Sequence, residues 1–68
     1  MFHYTSKHEL ASQYFPHLAR KSALNKLMSI INSDTILSQA LLSTGYRPLQ
    51  RHFTPHQMQI ITDRIGMP

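Results

Sequence analysis

Five histidines, His3, His8, His17, His52 and His56, are the residues of this chain best suited to chemistry. Imidazole ligates metals and relays protons, so their spacing decides whether either role is open. His52 and His56 stand four apart, the spacing that would put two ligands on one helical face. Thr54 between them reads as a helix N-cap, which leaves His52 outside the helix. The chain has no cysteine, and its carboxylates are Glu9, Asp34 and Asp63. Neither a metal site nor a cofactor is expected from such a set. Catalysis has little to draw on either. The serines lack a strand-turn-helix elbow, and Gly45 and Gly66 fall at expected helix ends rather than in a phosphate-cradling loop. A chain of 68 residues should also lack a substrate-sized cavity. The expectation is a non-enzyme without a small-molecule substrate.

The cations are more informative. Seven Lys and Arg against three Asp and Glu give a net charge of +4. Between residues 20 and 51 lie Arg20, Lys21, Lys26, Arg47 and Arg51 against Asp34 alone. A local excess of this kind attracts a polyanion, either nucleic acid or an acidic protein face. In the segment Tyr46-Arg47-Pro48-Leu49-Gln50-Arg51-His52-Phe53 two arginines lie beside aromatic rings. Arginine suits phosphate and stacks on bases, so a proline-stiffened basic loop fits a wing held against a DNA backbone. The plainer reading makes Tyr46 and Phe53 core anchors and leaves the arginines solvated.

Four helices must position these groups. The first opens at Ser6-Lys7-His8-Glu9, a capping-box pattern, and carries Leu10, Ala11, Tyr14 and Phe15 on one face. Pro16 disfavours helical backbone at Phe15, so this helix should end near Tyr14. The second should run from Arg20 to about Asn32, with Ala23, Leu24, Leu27, Met28, Ile30 and Ile31 inward and Ser22, Asn25, Lys26, Ser29 and Asn32 outward. Ser33 or Asp34 can cap a third, with Ile36, Leu37, Ala40 and Leu41 inward and Gly45 as its stop. Residues 46–53 have no helical period and Pro48 forbids a regular central strand, so a loop or a minimal irregular hairpin is expected. Thr54, Pro55 and Gln57 then supply an N-cap, an N1 proline and an N3 partner for a last helix facing inward with Met58, Ile61 and Ile65. Leu42 and Ile60 fit no inward face and mark a candidate surface for self-association or a partner.

The composition is 41% hydrophobic, which suits a folded chain, and one core is the most that 68 residues support. Residues 1–68 therefore read as a single all-α domain, frayed over residues 1–5. Apolar runs such as Leu27-Met28 and Ile30-Ile31 are far short of the roughly 20 residues needed to span a bilayer. No secretory pattern opens the chain, so no membrane role is expected and a cytoplasmic setting is the default.

Glu9-Leu10-Ala11, Tyr14-Phe15-Pro16-His17-Leu18, Ser22-Ala23, Lys26-Leu27, Thr44-Gly45-Tyr46-Arg47-Pro48 with Arg51, and Phe53-Thr54-Pro55 with Gln57, Ile61 and Gly66 carry a resemblance. Over about residues 5–66 the chain resembles a family of short uncharacterised proteins found in Bacteroides and its relatives, which implies no activity. It looks more weakly like the winged-helix DNA binders of the excisionase and mercury-resistance-regulator type. It departs from them in the extra helical segment 34–44 and in Ala19, which stands where a capping Ser or Thr would precede the reading helix.

Helix, proline-containing turn and longer helix is also the layout of a helix-turn-helix reader. On that reading Ser22, Asn25, Lys26 and Ser29 meet base edges or nearby phosphates, while Arg20, Lys21, Arg47 and Arg51 hold the backbone. The functional expectation is a helix-turn-helix-like module that binds double-stranded DNA in a regulatory or accessory role. The alternatives are a protein-interaction module for an acidic partner, using Leu42, Ile60 and the basic loop, and a structural homodimer.

Overall fold

A computed structural model describes residues 5–68. It is an all-α arrangement of four helices: α1 (Lys7–Tyr14), α2 (Arg20–Ser33), α3 (Thr35–Leu42) and α4 (Pro55–Ile65). Two short strands, β1 (Thr5–Ser6) and β2 (His52–Phe53), pair antiparallel with Thr5 opposite Phe53 and Ser6 opposite His52.

Each helix boundary has a local cause. Ser6 Oγ accepts from the Glu9 amide at 3.0 Å and starts α1. Phe15, ahead of Pro16, leaves the helical region at φ −130°, ψ 66° and ends it. Ala19 offers α2 no side-chain cap. Asp34 alone separates α2 from α3: its amide donates to the Ile30 and Ile31 carbonyls, and its carboxylate accepts from the Leu37 amide at 3.2 Å. Arg64 at the end of α4 reaches that carboxylate at 2.7 Å. The α3 end winds through Gly45 at φ +85°, where the Gly45 amide bonds the Leu42 carbonyl and the Tyr46 amide the Leu41 carbonyl. This pair of bonds is a Schellman stop, and its positive φ is open to glycine without strain. Thr54 and Gln57 make the reciprocal capping box of α4, with Pro55 in its first turn.

The core is one cluster: Leu10 and Ala11 from α1, Ala23, Leu27 and Ile31 from α2, Leu37 and Leu41 from α3, Met58 and Ile61 from α4, plus Tyr46 and Phe53. Neighbouring helices pack in chain order, and α4 returns through β2 and β1 to α1, closing the ring. One expectation is narrowed and three change. Of the loop or minimal hairpin expected at residues 46–53 the structure has the loop, since the strand at 52–53 pairs with β1 rather than within the segment. Thr5 lies in that ladder and is not frayed, while the fraying expected of residues 1–4, and His3, fall outside the described residues. Ile36 is 65% exposed, since Leu37 and Leu41 take the inward positions of a two-turn helix. Ile60 is half-buried and packed against the core rather than off it, whereas Leu42 is exposed.

Candidate nucleic-acid interface

The site is built on residues 46–53, which are tied down from three sides. Lys7, in the first turn of α1, is buried against them. Its Nζ donates to Tyr46 Oη at 2.6 Å and to the Pro48 carbonyl at 3.0 Å. The same ammonium lies 4.7 Å from the centroid of Tyr46 and 5.7 Å from that of Phe53, two rings stacked on each other. A buried ammonium is tolerated when acceptors and aromatic faces replace its hydration. Next to β1, the Lys7 backbone amide donates to the Arg51 carbonyl at 3.0 Å.

On the α4 side the anchor is Gln57, fully buried at 2% exposure. Its Oε1 accepts from Gln50 Nε2 at 2.8 Å and from the Thr54 amide at 3.1 Å, and its Nε2 donates to Thr44 Oγ1 at 3.0 Å. Gln50 Nε2 also donates to the His52 carbonyl, and Gln50 Oε1 accepts from the Arg47 amide at 3.0 Å. The Gln50 amide donates to the Arg47 carbonyl at 3.1 Å, which makes 47–50 a hydrogen-bonded turn with Pro48 at its second position.

This loop stands beside the start of α2 and encloses with it an open groove of about 680 Å³, larger than a chain of this length was expected to offer. Leu24, Met28, Pro48 and Leu49 give the groove its apolar lining. Arg20 and Arg51 line it too, with His8, His52 and Glu9. His8 Nδ1 is buried there without a hydrogen-bond partner among the described residues.

The structure therefore brings Arg20 of α2 and Arg51 of the loop to one groove. Helical geometry, about 100° per residue, extends the grouping: Lys21 falls on the Met28 side of α2, and Ser22, Asn25 and Ser29 share the exposed face beyond it. Lys26 is set apart, roughly 160° around the helix from Leu24 and Met28. Its Nζ sits 5.1 Å from the centroid of Phe15. Arg47 is exposed on the loop but does not line the groove. Of the seven cations, Lys7 is buried and Arg64 is paired with Asp34; the other five are exposed.

Lys7 and Leu49 were not singled out from sequence. Nothing local distinguishes Lys7 from a solvated first-turn lysine. Leu49 had a signal in Pro48, because a proline-started turn exposes the residue after it. Among the described residues no three His, Asp or Glu side chains come together to hold a metal, and no helix is long and apolar enough to cross a membrane.

Fold and site together define a small four-helix domain with a pinned, basic loop. The chain belongs to the family described as a domain of unknown function (DUF4248), which matches residues 2–68. Comparison with curated proteins and with solved structures finds no match.

Proposed function

We propose that this domain binds double-stranded DNA on the side where the start of α2 meets the 47–51 loop, in a regulatory or accessory role. The observation that carries this is the meeting of Arg20 and Arg51 at one groove, from elements about thirty residues apart in sequence. Two exposed cations that the fold itself gathers form the kind of surface a phosphate backbone neutralises. Lys21 and Arg47 extend it, and Asn25 with Ser22 and Ser29 offers hydrogen-bonding groups to base edges. The weaker sequence resemblance to winged-helix DNA binders supports the same reading.

Contacts from Arg20, Lys21, Arg47 and Arg51 would give a log–log salt slope of roughly −3.6, modest for tight binding by one copy. Binding as a dimer or within a larger complex follows. The test is fluorescence anisotropy of a labelled duplex between about 50 and 200 mM salt. Arg20→Ala and Arg51→Ala should each weaken binding several-fold and lower the salt slope by about 1, with a smaller effect for Lys26→Ala. No binding at the low-salt end, or unchanged binding in both arginine variants, sinks the proposal.

A further inference from the structure

Leu49 is the most exposed large apolar side chain of the described residues, at 93%. Exposed leucines are common and mean little alone. This one occupies the third position of the hydrogen-bonded turn at 47–50, with Pro48 before it. The turn is closed twice, by the Gln50 amide on the Arg47 carbonyl and by the Arg47 amide on Gln50 Oε1. Its base is fixed by Lys7 on the Pro48 carbonyl and by Gln57 on Gln50. An exposed apolar tip is thus presented on a backbone with little freedom left to lose, the condition under which an inserting group is effective.

The charges on either side name the occupant. Arg47 and Arg51 are exposed and flank the tip, and Arg20 lines the groove at its foot. An apolar side chain between arginines matches a polyanion that has an apolar interior to enter, and stacked base pairs between two phosphate backbones have that form. We propose that Leu49 is a wedge that enters a base step of duplex DNA from the minor groove, partly unstacking it and bending the duplex, while Arg47 and Arg51 hold the phosphates on either side. This rests on the DNA-binding reading above and adds to it the mode of engagement. Pyrimidine–purine steps unstack most readily, so a TA step is the preferred point of entry.

The test uses the full chain and a duplex carrying 2-aminopurine as the purine of a central TA step, with a fluorophore pair at its ends. Wild type should raise 2-aminopurine emission at least twofold and shorten the end-to-end distance. Leu49→Ala should abolish both signals while weakening anisotropy-detected binding no more than about tenfold, and Leu49→Phe should restore them. Because the side chain is almost wholly exposed, neither change touches the core. Binding without an emission rise, or an equal rise with Leu49→Ala, overturns the wedge and leaves the DNA-binding reading standing. No binding at low salt overturns both, as does Leu49-dependent binding to anionic vesicles in preference to the duplex.

Discussion

Lys7 and Gln57 are the two polar side chains on which the loop depends, and they fail differently when replaced. Lys7→Ala removes the stem that packs on Tyr46 and Phe53 and strands the Tyr46 hydroxyl and the Pro48 carbonyl. A loss of about 2–3 kcal/mol is expected in urea unfolding. Lys7→Met keeps most of the packing volume and relieves a buried charge, so it should cost less than the alanine variant. Gln57→Ala opens three side-chain hydrogen bonds at once and leaves Thr44, Gln50 and Thr54 to find other partners. About 2 kcal/mol is expected for it, with faster amide exchange over residues 47–54 as the local signature. Asp34 offers a test by pH. The Arg64 hydrogen bond, with the Leu37 amide, holds its carboxyl below the usual carboxylate range. A carboxylate with a lowered folded-state pKa contributes stability that is present above its unfolded value near 4 and is lost as pH falls through the folded one. Asp34→Asn keeps a capping oxygen but not the charge. Its Tm should therefore lie below that of wild type at pH 7, and the gap should narrow as pH falls below about 4.

Among the elements, the helices were written plainly and the strands were not. Ser6 and Glu9, Pro16, and Thr54 with Gln57 each announce a boundary through local chemistry, and each boundary stands where that chemistry puts it. The β1–β2 ladder had no such signal, because two-residue strands show no alternation and their pairing joins residues 5–6 to 52–53. Ile36 was misjudged for a related reason. In an eight-residue helix two adjacent apolar residues lie about 100° apart, and only contact with α2 and α4 decides which one turns inward. The candidate site was legible as a set of cations and illegible as a surface, since it takes the packed helices to bring Arg20 to Arg51 and move Lys26 away. Gly45 gives the prediction at this scale. A Cβ there meets nothing within 4 Å, so Gly45→Ala should cost only the strain of a positive φ, about 1–2 kcal/mol in thermal unfolding. Gly45→Asn should cost less.

At the scale of the whole molecule the ring of contacts matters most. Helices α1 to α4 pack in chain order, and the circuit closes where β1 meets β2, where Lys7 meets the loop and where Tyr14 Oη donates to the Gly66 carbonyl at the end of α4. The Asp34–Arg64 pair adds a tie from the last turn of α4 to the α2–α3 junction. Opening the circuit at the loop should therefore free Arg47 and Arg51 without unfolding the helices. Lys7→Ala is expected to weaken duplex binding several-fold more than its charge explains, with helical circular dichroism retained at temperatures where the variant stays folded. Equal binding by Lys7→Ala and wild type would separate the loop's order from the DNA-binding reading.

Lys7 also makes the molecule its own reporter. Of the three lysines, Lys21 and Lys26 are exposed on α2 and Lys7 is shut between the stacked rings and the loop. An amine-reactive reagent should acylate Lys21 and Lys26 promptly and Lys7 only at the rate at which the loop lifts. Mass spectrometry of the labelled chain would then time that opening directly, and a bound duplex that engages the turn should slow it.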